Sequence, residues 1–369
     1  MLLLITHAGA NKGVTGYFKD FLIHHEGEYL YLCHPFAESK LKSSELQKID
    51  KHGHEVCVAS FWKPQNELLA MVVSFFVTTW VLLRYGHQVH LVIGFGGFNT
   101  FSAIVLRSIF RFKVYFWGVD YSSRRFSSSL LNKVYLFLET SACKYADMVI
   151  QPTARQEDVR IRKHGLDPKR SLVMPNGISG KHLDATFPNI AAPRTAFLYI
   201  GSITQQHGVL DLIKDYYCTH MVKTPLYIIG GGPLAEQVQK VIEQSDVSQM
   251  VKYLGHMTPD QITDYVQSSN ENFVGIAPYR SDAVIDHVYY GDSLKLKEYL
   301  MYRMPFLVST AVEVSFDLRE FGVIYNDTAE LQQYLNNPHT IPTLDDAKVQ
   351  ETLKFYTWDV LCSKISLDY

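Results

Sequence analysis

Short apolar runs alternate with longer amphipathic stretches along nearly all of the 369 residues. Runs of this length, bounded by glycine and polar residues, predict strands buried on both faces, and the stretches between them predict helices. Strands that alternate with helices build parallel sheets covered on both sides. The first series of runs falls at 2–6, 29–33, 55–59, 89–94, 113–117, 148–151 and 171–174. A second series follows Pro193, at 196–200, 226–230, 251–254, 273–277, 306–308 and 322–325. Residues 186–193 hold Pro188 and Pro193, which interrupt helix and strand alike. The pattern predicts two doubly wound α/β domains, 1–185 and 194–344, joined by a linker at 186–193. In residues 345–369, Trp358, Leu361 and Ile365 recur at spacings of three and four. That stripe predicts one terminal helix. Ligands of such sheets lie beyond the C-terminal ends of the strands, so the turns after the strands are where chemistry is expected.

Charge narrows the partners. Lysine and arginine number 35 against 37 acids, a net charge of -2, which argues against a dedicated nucleic-acid binder. The five cysteines are scattered, with no C-x-x-C pair. A disulfide framework or zinc site is not expected, and a reducing, cytoplasmic setting fits. Residues 1–5 lack a basic flank and read as a first strand. Residues 68–83 are uncharged between Glu67 and Arg84, somewhat short of the roughly 20 residues a span needs. The first reading is a buried helix. The second is a helix resting on a membrane surface, helped by Arg107, Arg111 and Lys113 beside Phe110 and Phe112.

The most specific stretch is Gly291-Asp292-Ser293-Leu294-Lys295-Leu296-Lys297-Glu298, followed by Pro305 and the apolar run 306–308. A polar turn opens a helix, whose first N–H groups and partial positive charge suit a phosphate. Lys295 adds a full charge. Glu298, three residues on, projects from the same helix face and can accept hydrogen bonds from a ribose. The ligand this suits is a nucleoside diphosphate carrying a further group. Glycine turns follow other strands, at Gly201-Ser202, Gly230-Gly231-Gly232 and Gly255-His256-Met257. The Asn176-Gly177 pair closes the first half as a turn.

The 291–308 stretch resembles the donor-binding signature of retaining GT-B glycosyltransferases of the family-four-like group. The loop from Gly201 to Gly208 resembles the segment in which that family places an arginine and a lysine on the donor diphosphate. Ser202 and His207 stand there instead. The resemblance places Gly13, Gly230, Gly231, His256, Met257, Arg280, Asp292, Ser293 and Leu294 around the donor. It puts Asp120 at a position where relatives carry a His-Asp pair, here Val119-Asp120. Tyr290 occupies the place of a second acidic residue, for which Asp292, Asp286 or Asp282 are substitutes. Lys12, Arg124 and Arg125 are the acceptor-binding candidates, and the terminal helix is expected to return to the first domain.

The resemblance implies transfer of a sugar from a nucleotide-diphosphate donor to an acceptor, with retention of configuration. Lys295, Glu298 and Asp120 would carry the reaction, and no metal or other cofactor is implied. A glycan or lipid-linked acceptor in cell-surface polysaccharide or glycoconjugate synthesis fits, with peripheral membrane contact through the first domain. Two alternatives stand beside it. One is a sugar-nucleotide 2-epimerase. The other is a non-catalytic GT-B partner subunit, which the departures at Ser202, His207, Val119 and Tyr290 favour.

Overall fold

The computed structural model describes residues 1–8, 13–25, 27–35, 42–180, 183, 185, 187, 193–280 and 286–367. The chain forms two compact units: Met1–Asn176 with Trp358–Tyr369, and Gly177–Thr357. In order, the first contains β1 (Leu2–Ala8), α1 (Gly13–His25), β2 (Tyr29–Pro35), β3 (Ser43–Ile49), β4 (Glu55–Trp62), α2 (Glu67–Tyr85), β5 (Leu91–Phe95), α3 (Gly97–Phe110), β6 (Lys113–Trp117), α4 (Ser129–Tyr145), β7 (Met148–Gln151), α5 (Ala154–His164) and β8 (Ser171–Val173). The second runs β9 (Ala196–Ile200), α6 (Val209–Leu212), β10 (Leu226–Ile229), α7 (Ala235–Gln244), β11 (Val251–Gly255), α8 (Pro259–Ser268), β12 (Phe273–Ala277), α9 (Asp286–Tyr289), α10 (Leu294–Met301), β13 (Phe306–Ser309), β14 (Gly322–Tyr325), α11 (Thr328–Asn336) and α12 (Asp346–Lys354). The final helix, α13 (Trp358–Cys362), returns to the first unit.

The first unit holds a sheet of order β4-β3-β2-β1-β5-β6-β7-β8. It is parallel from β2 to β8 and antiparallel where β3 joins β2 and β4. Strand β3 is absent from the sequence expectation for a physical reason. Its segment, Ser-Ser-Glu-Leu-Gln-Lys-Ile, has just two apolar residues, Leu46 and Ile49, which are buried in the cores on opposite faces of the sheet. One apolar residue on each face, three apart in sequence with a register shift after Leu46, makes neither an apolar run nor an alternation. The second unit's sheet, β11-β10-β9-β12-β13-β14, is parallel throughout. Its four inner strands, β10, β9, β12 and β13, are buried over their whole length, as near-continuous apolar runs require.

Three expectations are corrected. The terminal segment is not one helix: α12 ends at Lys354, and residues 355–357 turn the chain, with the Ile178 N–H bonded to the Tyr356 carbonyl. Only α13 carries the Trp358–Leu361 stripe, and Trp358 stacks on Tyr17 of α1 at 5.4 Å. The units divide at 176/177 and 357/358, not at 185/186 and 344/345. Phe187, expected in the linker, is buried in the second unit's core against Tyr302. Residues 68–83 do form one helix, but it is not a buried one. The sheet covers a single face, and large apolar side chains of α2 face outward.

Candidate functional site

In the second unit, the turns after β9, β10 and β12 converge on the start of α10. After β9 the chain passes through Gly201, whose φ of +138° is open chiefly to glycine. A Cβ here would also lie 2.6 Å from Lys295 Cε. The lysine side chain therefore lies directly against bare backbone. Gly230 seals the layer beneath: a Cβ on it would meet the Gly201 carbonyl oxygen at 1.8 Å. Gly208 closes the far side of the loop, where a Cβ would strike the Pro278 carbonyl at 1.9 Å. These glycines pack three turns to within backbone distance. Gly231 has open space where a Cβ would stand.

Lys295 Nζ donates to the Tyr279 hydroxyl at 3.2 Å and lies 5.0 Å from the centre of that ring. The Tyr279 and Ser293 hydroxyls are 2.9 Å apart. An ammonium only donates, so the Tyr279 oxygen accepts from Lys295, while in its bond with Ser293 either hydroxyl can be the donor. Ser293 is the N-cap of α10, yet its side chain makes no capping bond to the helix. The first-turn N–H groups beside Leu294 and Lys295 have no partner within the helix.

His207 stands edge-on to Tyr279, their rings 5.3 Å apart. Its Nδ1 is 2.6 Å from the Ser202 carbonyl oxygen. A carbonyl cannot donate, so Nδ1 carries the proton and Nε2 is the acceptor of the neutral ring. Ser202 itself is exposed. Arg280 pairs with Asp211 at 3.2 Å, and its backbone N–H bonds to the Gln206 carbonyl. Glu298 is half-buried on α10. Burial raises its carboxyl pKa above the ordinary range, and the Lys295 charge opposes that rise. Among the described residues, no hydrogen bond or ion pair engages this carboxylate.

Asp292 is not the helix cap, which is Ser293; its Oδ2 forms an ion pair with buried Lys297 at 2.5 Å. Lys297 also lies 4.8 Å from the Tyr356 ring centre. Asp282 lies outside the described residues, as does Lys12. His256 is exposed and Met257 packs against the core edge, both just beyond Gly255, whose carbonyl accepts the Gly230 N–H. Tyr279 is the residue sequence reasoning passed over. Its one signal was a place directly after Pro278 at a buried strand's end.

The first unit carries the other candidates. Gly13 opens α1. Asp120 is exposed on the turn after β6. Beneath that turn lies Arg160, fully buried and paired with Glu139 at 2.9 Å. Arg160 donates to the Gly118 and Asp120 carbonyls at 3.5 and 3.4 Å. Arg124 and Arg125 are exposed, with Arg125 5.8 Å from the Tyr135 ring centre.

No family model matches the chain. An uncharacterised glycosyltransferase of Methanocaldococcus jannaschii is 25% identical over 172 residues, 42% of this chain and 42% of that protein's own length. Solved structures match nearly end to end. The lipopolysaccharide outer core galactosyltransferase WaaB superposes with a TM-score of 0.68 at 17% identity, covering 98% of this chain and 97% of its own. Sucrose-phosphate synthase from Thermosynechococcus elongatus gives 0.69 at 14% identity, covering 99% and 97%. The Anabaena protein HepE, solved in complex with UDP, gives 0.68 at 13%, covering 99% and 98%. Two parallel-sheet α/β units, matched over almost the whole chain, give this protein the GT-B glycosyltransferase fold.

Proposed function

We propose that the protein is a glycosyltransferase that takes its sugar from a nucleotide-diphosphate donor bound at the start of α10. The observation that carries this reading is the nearness of Lys295 and Glu298 on α10. One is a cation held against the bare Gly201 backbone; the other is a half-buried carboxylate with no protein partner among the described residues. Lys295, the Ser293 hydroxyl and the first-turn N–H groups of α10 would meet the diphosphate. Glu298 would accept hydroxyl hydrogen bonds from the sugar or ribose. HepE binds UDP and has also been solved with UDP-glucose, which supports a UDP-sugar as the donor to try first.

As the glycosidic bond lengthens, negative charge grows on the leaving phosphate. Fixed donors there stabilise the transition state more than the ground state. In the retaining course, the acceptor oxygen attacks from the leaving-group face and passes its proton to the departing phosphate. Asp120 is the first-unit carboxylate proposed to contact the acceptor or the reacting sugar, with Arg124, Arg125 and Lys12 on an acceptor phosphate. A glycan or lipid-linked sugar is the proposed acceptor class.

Thermal stabilisation by UDP, GDP, ADP and CMP sugars tests the donor site. One nucleotide class should raise the melting temperature, and Lys295→Ala and Glu298→Ala should remove the shift. No shift with any donor would instead favour a non-catalytic GT-B subunit, the reading that neutral Ser202 supports. Retention is read by NMR of the product's anomeric proton. Because Lys295 and helix N–H groups meet the charge in this reading, turnover should be unchanged by EDTA; a loss restored by a divalent cation would refute the metal-free assignment.

A further inference from the structure

Helices α2, α3 and α4 lie side by side over one face of the first unit's sheet. Their inner positions, among them Val77, Val81, Ala103, Leu106 and Ala142, are buried. Their outer positions are also apolar. On α2 the exposed stripe is Leu69, Val72, Phe76, Trp80 and Leu83, at helical spacing. Val105 and Ile109 continue it on α3, and Leu130, Val134 and Phe137 on α4. Phe76, Ile109 and Leu130 are 64%, 62% and 69% exposed, so most of each residue's surface faces water. Rings join the stripes into one surface. Phe61 of β4 meets Trp80 at 5.3 Å, Phe75 meets Phe101 at 6.4 Å, and Phe101 meets Phe137 at 5.8 Å. A continuous apolar face of this kind marks an interaction site.

Charge identifies the occupant. Between Glu67 and Glu139 the sequence has seven lysines and arginines and one acid, Asp120. Arg107 is paired with Asp147 at 3.4 Å, and Arg124 and Arg125 stand on the turn before α4. Arg84 and Arg111 lie at the ends of α2 and α3, and Lys133 is exposed on α4. Glu139, the acid inside α4, is buried on Arg160. An isologous dimer would set this face against its own copy and oppose like charges. An anionic lipid surface offers complementary charge, together with an apolar boundary for the aromatic side chains.

Leu68–Gln88 is long and apolar enough to cross a bilayer. Its inner face, however, belongs to the unit's core, and Thr78 on that face shares a hydrogen bond with buried His34 at 2.9 Å. Spanning would strip both from the sheet. We propose that the outer face of α2, α3 and α4 rests in the surface of an anionic bilayer, with α2 parallel to the membrane plane.

The test uses the full chain without any sugar nucleotide, so it stands or falls apart from the donor assignment. Sedimentation is measured with vesicles of phosphatidylcholine alone and of equal parts phosphatidylcholine and phosphatidylglycerol. The mixed vesicles should bind the protein, and added salt should weaken binding. Phe76→Ser with Ile109→Ser, and separately Arg84→Glu with Arg111→Glu, should each lower the partition at least tenfold while circular dichroism stays unchanged. The proposal is overturned by absence of binding to mixed vesicles or by unchanged partition in both well-folded variants. A lipid-free dimer that Phe76→Ser with Ile109→Ser dissolves would also overturn it, by assigning the face to a second copy.

Discussion

Gly201 and Lys295 are a single device at the residue scale. The φ of +138° and the 2.6 Å approach of Lys295 Cε both exclude a Cβ. Gly201→Ala should therefore cost about 1–3 kcal/mol of stability from backbone strain and displace the lysine, lowering donor affinity at least tenfold by calorimetry. Glu298 behaves oppositely. Burial raises its pKa, so the folded state holds the proton more tightly than the unfolded state. Stability is therefore lost as pH rises from the ordinary carboxyl range through the raised value, and the deficit persists above it. Glu298→Gln should make the protein more stable at pH 7 but not at pH 3, while weakening donor binding. Denaturant melts at the two pH values check the sign; a destabilised variant at pH 7 would show that the carboxylate supports the fold.

At the scale of elements, α10 is anchored by charge as well as by its apolar side. Lys297, fully buried, meets Asp292 on the turn before the helix. Removing one partner of a buried pair strands the other charge, at about 3–5 kcal/mol. Lys297→Met should lose stability of that size, and Lys297→Met with Asp292→Asn should recover much of it. A double-mutant cycle in denaturant measures the coupling, and additive losses would show that the pair does not hold the helix. The turn of Asp120 rests on a similar buried pair, Arg160 with Glu139, and Gly118 makes room for the guanidinium: a Cβ there would lie 2.1 Å from Arg160 Nη2.

Across the whole molecule, titration is uneven. Among the described residues, the four histidines with lowered pKa all belong to the first unit. His34 is lowered to about 3, and His7, His90 and His164 to about 4, burial being the largest cause in each. Depressed histidines keep the folded state neutral, so stability is intact above the ordinary value of 6.5 and falls as pH drops toward the lowered values. His34, fully buried, costs about 1.4 kcal/mol per pH unit in that window. All four tryptophans, Trp62, Trp80, Trp117 and Trp358, are also in the first unit. Tryptophan fluorescence should thus report acid unfolding at a higher pH than far-ultraviolet circular dichroism does. Coincident midpoints would show that the two units unfold together.

The parallel sheets were legible because strands buried on both faces must be apolar runs, whatever their neighbours. The turn at 291–298 was legible for a similar reason: a cap, a lysine and a glutamate one helical turn apart carry their geometry in their spacing. Strand β3 was not, since its two apolar residues, Leu46 and Ile49, lie three apart and face opposite sides of the sheet. Nor was the division of labour among charged groups on α10. Lys295 and Lys297 are two residues apart and chemically alike, and only packing sends one to Tyr279 and the other to Asp292. For α2 the sequence left two readings, a buried helix and one with an outward apolar face, and only the tertiary structure shows that the sheet covers a single side of it. Sequence determines what each segment can bury; the fold decides which partner each buried or exposed group finds, because partners come from residues far apart in the chain.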